Sequence, residues 1–81
     1  MTVRVKLFAV ARERAGCPFV DVELPAAATV GQLRGALIGQ FPSLAEVVPH
    51  VRFAINSEYA ADAASIPAAA EVAIIPPVSG G

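Results

Sequence analysis

The segment TVGQLRGALIGQFP, residues 29–42, is the long helical pattern of this chain. Thr29 and Gln32 have the spacing of a capping box, in which their side chains bind free backbone N–H groups at a helix start. The apolar residues of the segment fall on one helical face: Val30, Leu33, Leu37 and Phe41, with Ile38 at the margin. Pro42 ends the run. The segment therefore predicts one helix that packs on a sheet.

Two strands are predicted before this helix. Thr2 to Val10 alternates apolar and charged residues with the two-residue period of a half-buried strand, and the inward residues are Val3, Val5, Leu7 and Ala9. A turn at residues 15–18 leads to a second strand with Val20, Val22 and Leu24 inward. Arg4 and Lys6 would face Asp21 and Glu23 across an antiparallel hairpin. Solvated charges with no net contribution fit the same pattern.

Three further strands are predicted after the helix. A short helical turn at residues 44–48 precedes the first of them, and the elements in order are a strand at 51–55, a turn at Asn56-Ser57, a short edge strand at 58–60, an Ala-rich connection at 61–70 and a last apolar strand at 72–75. Pro76 and Pro77 end the last strand, because proline cannot donate to a sheet ladder.

This order of elements predicts an α+β fold, the ubiquitin-like β-grasp, in which a mixed sheet of four to five strands packs on one main helix. In that fold the last strand runs beside the first and parallel to it. We expect one β-grasp domain at residues 1–75 and a flexible, extended tail at 76–81. Six extended residues reach about 20 Å, at up to ~3.3–3.6 Å each.

Composition excludes several classes of function. A net charge of -1, with Arg and Lys scattered singly, argues against binding to nucleic acid. The chain has neither the pattern of a signal peptide nor ~18 consecutive apolar residues, so we expect a cytoplasmic protein without a membrane partner. One cysteine, Cys17, excludes an internal disulfide and a Cys-ligated iron–sulfur cluster. His50 has no second ligand at metal spacing, so neither a metal nor a bound cofactor is expected.

The Gly80-Gly81 terminus is the candidate reactive site. A tail without side chains fits deep in a narrow cleft, which makes the terminal carboxylate accessible to a partner enzyme. Two side chains, those of Cys17 and Ser79, are alternative candidates for a reactive group. Cys17 has no neighbouring cation in the sequence to lower its thiol pKa, and Ser79 has no base to activate it. The chain is therefore not expected to be a catalyst by itself.

The sequence resembles the MoaD/ThiS group of ubiquitin-like proteins, which includes the small, sulfur-carrying subunit of molybdopterin synthase. The resemblance rests on Val5–Ala9 with Arg12 and Glu13, in the first strand and the loop expected after it, on Val51–Asn56 and on Glu71–Gly81. Its most specific part is Pro-Pro-Val-Ser-Gly-Gly directly after an apolar strand. One departure is Pro67-Ala68-Ala69-Ala70, which stands where the family usually has a Gly-Asp or Asp-Gly turn.

The resemblance implies a carrier cycle. An E1-like adenylyltransferase would use ATP to adenylate Gly81, and a sulfur donor protein would convert it to a thiocarboxylate. The large synthase subunit, in a complex of two small and two large subunits, would then pass the sulfur to cyclic pyranopterin monophosphate, a precursor of the molybdenum cofactor. The residues entering that subunit would be Pro76, Pro77, Val78, Ser79, Gly80 and Gly81.

The expected docking surface consists of Phe8, Tyr59 and Ile75, with Arg12 at its rim. Phe8 and Tyr59 fit equally well as ordinary sheet residues covered by a loop. Three other functions remain open. They are sulfur transfer for thiamin or another sulfur metabolite, protein modification through isopeptide bonds, and a plain β-grasp interaction module.

Overall fold

The computed structural model describes residues 1–76 of the chain. Its helices and strands are β1 (Thr2–Lys6), α1 (Ala9–Ala15), β2 (Phe19–Glu23), α2 (Val30–Gln40), β3 (Arg52–Ile55), β4 (Glu58–Ala60) and β5 (Val72–Ile75). The strands form one mixed sheet in the order β2-β1-β5-β3-β4. The predicted ubiquitin-like β-grasp is confirmed. The predictions for Pro77–Gly81 lie outside the described residues.

The last strand lies at the centre of the sheet. β5 runs parallel to β1, with Val5 beside Val72, and antiparallel to β3, with Phe53 beside Ile74. A strand paired on both sides is held by two ladders of hydrogen bonds. The chain therefore leaves the sheet at Ile75 from a central strand that is paired on both sides.

One face of the sheet packs on α2. Alternate strand residues, including Val5, Phe53 and Ile74, are fully buried, as are Val30, Leu33 and Leu37 of α2. The predicted capping box is present. The Gln32 N–H donates to Thr29 Oγ1 (3.2 Å) and the Thr29 N–H donates to Gln32 Oε1 (2.8 Å). Local sequence thus places the start of the helix, and apolar burial orients it against the sheet.

The predicted first strand is too long. It ends at Lys6, and residues 9–15 form α1, so Arg12 and Glu13 are helical rather than in a loop. Ala9 has a φ of 50°, which turns the chain out of the strand direction. Ala11 is buried, and Gly16 ends the helix in the left-handed region, with its N–H donating to the carbonyl oxygen of Arg12 (2.9 Å). The helical turn predicted at 44–48 is replaced by two 3₁₀ turns, Pro42–Leu44 and Val48–His50.

The unusual Pro-Ala-Ala-Ala segment before β5 forms a tight turn with an alanine in a left-handed conformation. The Ala70 N–H donates to the carbonyl oxygen of Pro67 (3.3 Å), and Ala69 has a φ of 61°. The same sequence, Pro-Ala-Ala-Ala, occurs at 25–28, where Ala27 also has a φ of 61°. Glycine is the residue that adopts this conformation without a steric cost. The departure from the family pattern therefore changes the residue type at a strained backbone position.

Candidate functional site

The candidate site is the outer face of the sheet, opposite the face that packs on α2. Because strand side chains alternate between faces, each strand contributes to it. The residues are Arg4 and Lys6 of β1, Phe8 after it, Phe19 of β2, Ala54 of β3, Tyr59 of β4, and Ala73 and Ile75 of β5. They line a groove of about 510 Å³, which we call the outer groove. β5 runs along its middle.

Aromatic side chains are concentrated in the outer groove. Phe8 is 38% exposed, Phe19 is 45% exposed and Tyr59 is 59% exposed. Val10 is the other large apolar side chain that residues 1–76 leave in solvent. Exposed apolar side chains that lie together are a candidate interaction surface. The outer groove is therefore a candidate docking surface.

A cationic side chain lies close to each of these aromatic rings. The Arg4 guanidinium carbon is 5.7 Å from the centroid of the Phe19 ring. Lys6 Nζ is 5.2 Å from that of Phe8, and the Arg52 guanidinium carbon is 3.9 Å from that of Tyr59. These distances are within the range of cation–π attraction. The groove thus combines aromatic rings with nearby cations, and Glu71 adds one carboxylate to its lining.

The charge pairing predicted for the β1–β2 hairpin is present at one position. Arg4 and Asp21 are direct partners, and the guanidinium binds the carboxylate with both Nε (3.0 Å) and NH2 (3.4 Å). The hydrogen bond from Arg4 lowers the pKa of Asp21, desolvation raises it, and the charge of Arg4 lowers it, so that the pKa lies below its ordinary value. Lys6 lies opposite Phe19, and Glu23 lies opposite Thr2. The expected pairing of Lys6 with an acidic residue is therefore wrong, because the register puts an aromatic residue there.

Three of the four predicted docking residues lie together. Phe8, Tyr59 and Ile75 line the outer groove, whereas Arg12 lies on α1 and lines a second, shallower depression. The sequence prediction of the site missed Lys6, Phe19 and Arg52. Alternation had already put Lys6 on the same face as Phe8, but the alignment of β2 and β3 with that face depends on register, which no local pattern contains.

The tail leaves the sheet at the outer groove. Ile75 is the last residue of β5 and is partnered by Arg52, and Pro76 follows it half-buried. Gly81, the predicted reactive residue, and the rest of Pro77–Gly81 lie outside the described residues. The described part of the chain therefore defines the point of departure of the tail and the surface beside it.

The other candidate residues, Cys17 and His50, have ordinary surroundings. The Cys17 thiol is half-buried and lies 3.2 Å from the carbonyl oxygen of Phe19. His50 is exposed at the end of a 3₁₀ turn. No group of three His, Cys, Asp or Glu side chains within residues 1–76 is arranged to hold a metal ion. No helix in the same range is long and apolar enough to cross a bilayer.

Comparison with known proteins identifies the family. The model of the ThiS family matches residues 5–81. The chain belongs to the ThiS family. The molybdopterin synthase sulfur carrier subunit of Arabidopsis thaliana is 43% identical to this chain over 79 residues, which cover 98% of this chain and 82% of the relative. The expected place in the MoaD/ThiS group is confirmed.

Another relative of this chain is named as a protein modifier. Small archaeal modifier protein 1 of Haloferax volcanii is 39% identical over 84 aligned residues, covering 94% of this chain and 97% of the relative. Its crystal structure superimposes with a TM-score of 0.83 at 35% identity and covers 95% of this chain and 98% of that one. The relatives that resemble this chain are thus named both as sulfur carriers and as a modifier.

Proposed function

We propose that this protein is the sulfur carrier subunit of a molybdopterin synthase, with the carboxyl group of Gly81 as the group that carries sulfur. One observation carries the proposal. The strand that leads into the tail lies in the middle of an exposed apolar groove, in a chain whose family match extends to Gly81. A partner that binds the groove would therefore receive the tail in the same encounter.

The chemistry follows from the weak reactivity of a carboxylate. An adenylyltransferase uses ATP to convert the Gly81 carboxylate into an acyl-adenylate, in which AMP is a good leaving group. Sulfide supplied by a donor protein attacks the acyl carbon, a C–S bond forms, and AMP leaves with the electron pair of the broken C–O bond. The product is a thiocarboxylate, which is a soft nucleophile at neutral pH. In the large synthase subunit this sulfur attacks cyclic pyranopterin monophosphate. ATP is the activating partner's substrate, and we propose no resident cofactor for this chain.

Docking in this proposal depends on the outer groove. Burying a large apolar side chain contributes about 1.5–3 kcal/mol, so Phe8, Tyr59 and Ile75 supply the main part of the affinity for the large subunit. Arg12, in the neighbouring depression, is proposed as a peripheral contact. Ordering the tail costs about 1–2 kcal/mol per residue, but the prolines at 76 and 77 restrict φ beforehand. The balance favours a reversible complex, as a carrier with two successive partners requires.

A second function is protein modification, in which the activated glycine forms an isopeptide bond with a lysine of another protein. The similarity to small archaeal modifier protein 1 favours it. Both functions use the same activated Gly81 and differ in the nucleophile. Sulfur transfer for thiamin or another metabolite would use the same tail with a different synthase.

Complementation tests the proposal. In a strain that lacks its molybdopterin synthase carrier subunit, the complete chain should restore molybdenum cofactor synthesis. A variant with one alanine added after Gly81 should fail, because its terminal carboxylate is displaced by one residue from the position the activating enzyme reads. Ser43→Ala, an exposed change far from the groove, is the matched control and should complement. Complementation by the extended variant would contradict the proposal.

A further inference from the structure

Lys6 is the one lysine in the sequence. Its side chain is exposed on the outer face of the sheet, lines the outer groove and lies over the Phe8 ring. Three ion pairs occur within residues 1–76, and Lys6 belongs to none of them. The only side-chain amine of the protein thus lies on the surface that the proposed function assigns to docking.

We propose that Lys6 is a modification site, acylated by the activated Gly81 of a second copy of this chain, and that this acylation closes the outer groove to other partners. The inference rests on the proposed activation of Gly81. It adds an acceptor residue and a consequence for docking that the carrier cycle does not contain.

The reaction balances without a further reagent. Lys6 Nζ, in its neutral form, attacks the carbonyl carbon of the Gly81 acyl-adenylate of another copy. A C–N bond forms, the C–O bond to AMP breaks, AMP leaves with the bonding electron pair, and the amine proton passes to solvent. The product is an isopeptide bond. The ATP is consumed by the adenylyltransferase in forming the adenylate.

Other groups on the chain compete poorly for the acyl group. Arginine side chains stay protonated and are not nucleophiles in this pH range. The Met1 amine donates a hydrogen bond to the carbonyl oxygen of Leu24, which ties it to the edge of the sheet. Lys6 Nζ, in contrast, lies over the face of the Phe8 ring, and its exposed side chain is free to turn into solvent.

Acylation at Lys6 is incompatible with docking because Lys6 lies on the docking surface itself. Lys6 pairs with Ala73 in the central strand, and Phe8, Tyr59 and Ile75 line the same groove. A branch of 81 residues joined there covers these side chains. Since each copy has one acceptor amine and one terminal carboxylate, linked copies form unbranched chains, and only the copy with a free Lys6 keeps an open groove.

The test uses the full-length protein with an adenylyltransferase of a ThiS-family system and ATP, with no sulfur donor. Wild type should give a product of twice the 8.3 kDa chain mass less one water, and peptide mapping should find the branch on Lys6. Lys6→Arg, which keeps the cation over Phe8, should give no such product. A wild-type chain with an acetylated amino terminus should give the product unchanged. A branch that persists in Lys6→Arg, on the Met1 amine, would overturn the inference.

Two further measurements separate this inference from the proposed function. With sulfide added, both wild type and the control Ser43→Ala should form the Gly81 thiocarboxylate. If they do so and no Lys6 adduct forms without sulfide, the inference fails and the carrier function stands; if Gly81 is never activated, both fail. In the purified Lys6-linked dimer, one copy has an acylated Lys6, and the other has a free Lys6, an open groove and a tail that is consumed in the linkage. This dimer should bind the large synthase subunit through the open groove alone, which is one groove per two copies. Binding through both grooves would refute the closure.

Discussion

The guanidinium carbon of Arg52 lies 3.9 Å from the centroid of the Tyr59 ring. Arg52 is also the partner of Ile75, so the stacked pair lies directly beside the residue from which the tail departs. The cation keeps one side of the ring occupied while the ring remains 59% exposed. This arrangement presents an aromatic surface in a fixed position next to the exit of the tail.

Docking should depend on this surface. Tyr59→Asp and Ile75→Asp each place a carboxylate on the outer groove, and we expect each to weaken binding to the large synthase subunit by more than about tenfold, the effect of disrupting a central interface residue. Isothermal titration calorimetry with the purified subunit measures it. Ser43→Asp adds the same charge to an exposed residue on another part of the surface and should bind like wild type. Equal affinity for all four proteins would rule out the groove as the docking surface.

The turn before β5 carries a removable strain. Ala69 has a φ of 61°, a left-handed conformation that costs alanine about 1–2 kcal/mol. Glycine removes this cost but loses about 0.4–1 kcal/mol through the higher entropy of the unfolded chain. Ala69→Gly should therefore raise the free energy of unfolding by roughly 0.5–1 kcal/mol. Ala68→Gly is the matched control. Ala68 is outside the left-handed region, so it should lose stability. Urea denaturation measures both, and a less stable Ala69→Gly would show that the turn is unstrained.

The Arg4–Asp21 pair should add a pH dependence to stability. Arg4 lowers the pKa of Asp21 in the folded protein, so the contribution of the pair is complete above the unfolded pKa of about 3.9 and is lost as the pH falls through the lower folded pKa. The stability difference between wild type and Asp21→Asn should therefore shrink as the pH is lowered from 5 towards about 2.

Urea denaturation across that pH range measures the difference. Arg4→Gln removes the other partner and should abolish the same pH-dependent increment. Because both side chains are exposed, the increment should be small. A stability difference that grows at low pH would mean that Asp21 is not stabilised in its charged form.

Local signals in the sequence predict much of the fold, and register accounts for most of what they miss. Thr29 and Gln32 specify the start of α2 because a capping box involves residues three apart. α1 has no such signal, since its N-cap is Phe8 and no side chain caps it. The two-residue alternation before it also continues through Ala9, which hides the change from strand to helix.

The candidate site was predictable to a similar extent. Phe8, Tyr59 and Ile75 lie in the outer groove, as expected from the sequence, although their role in docking stays a prediction. Arg12 lies elsewhere because α1 replaces the expected loop. Lys6 and Phe19 become neighbours only through the pairing of β1 with β2, and the separate pairing of β1 with β5 places the one lysine of the chain beside the central strand.

The central claim is that the chemistry occurs at the carboxyl group of Gly81. Intact-protein mass spectrometry after incubation with an adenylyltransferase of a ThiS-family system, ATP and a sulfur source tests it most directly. The account predicts a mass gain equal to the difference between sulfur and oxygen, located at Gly81 by fragmentation and absent when ATP is omitted. An unchanged mass under conditions in which the activating enzyme thiolates a ThiS-family carrier of known activity would contradict it.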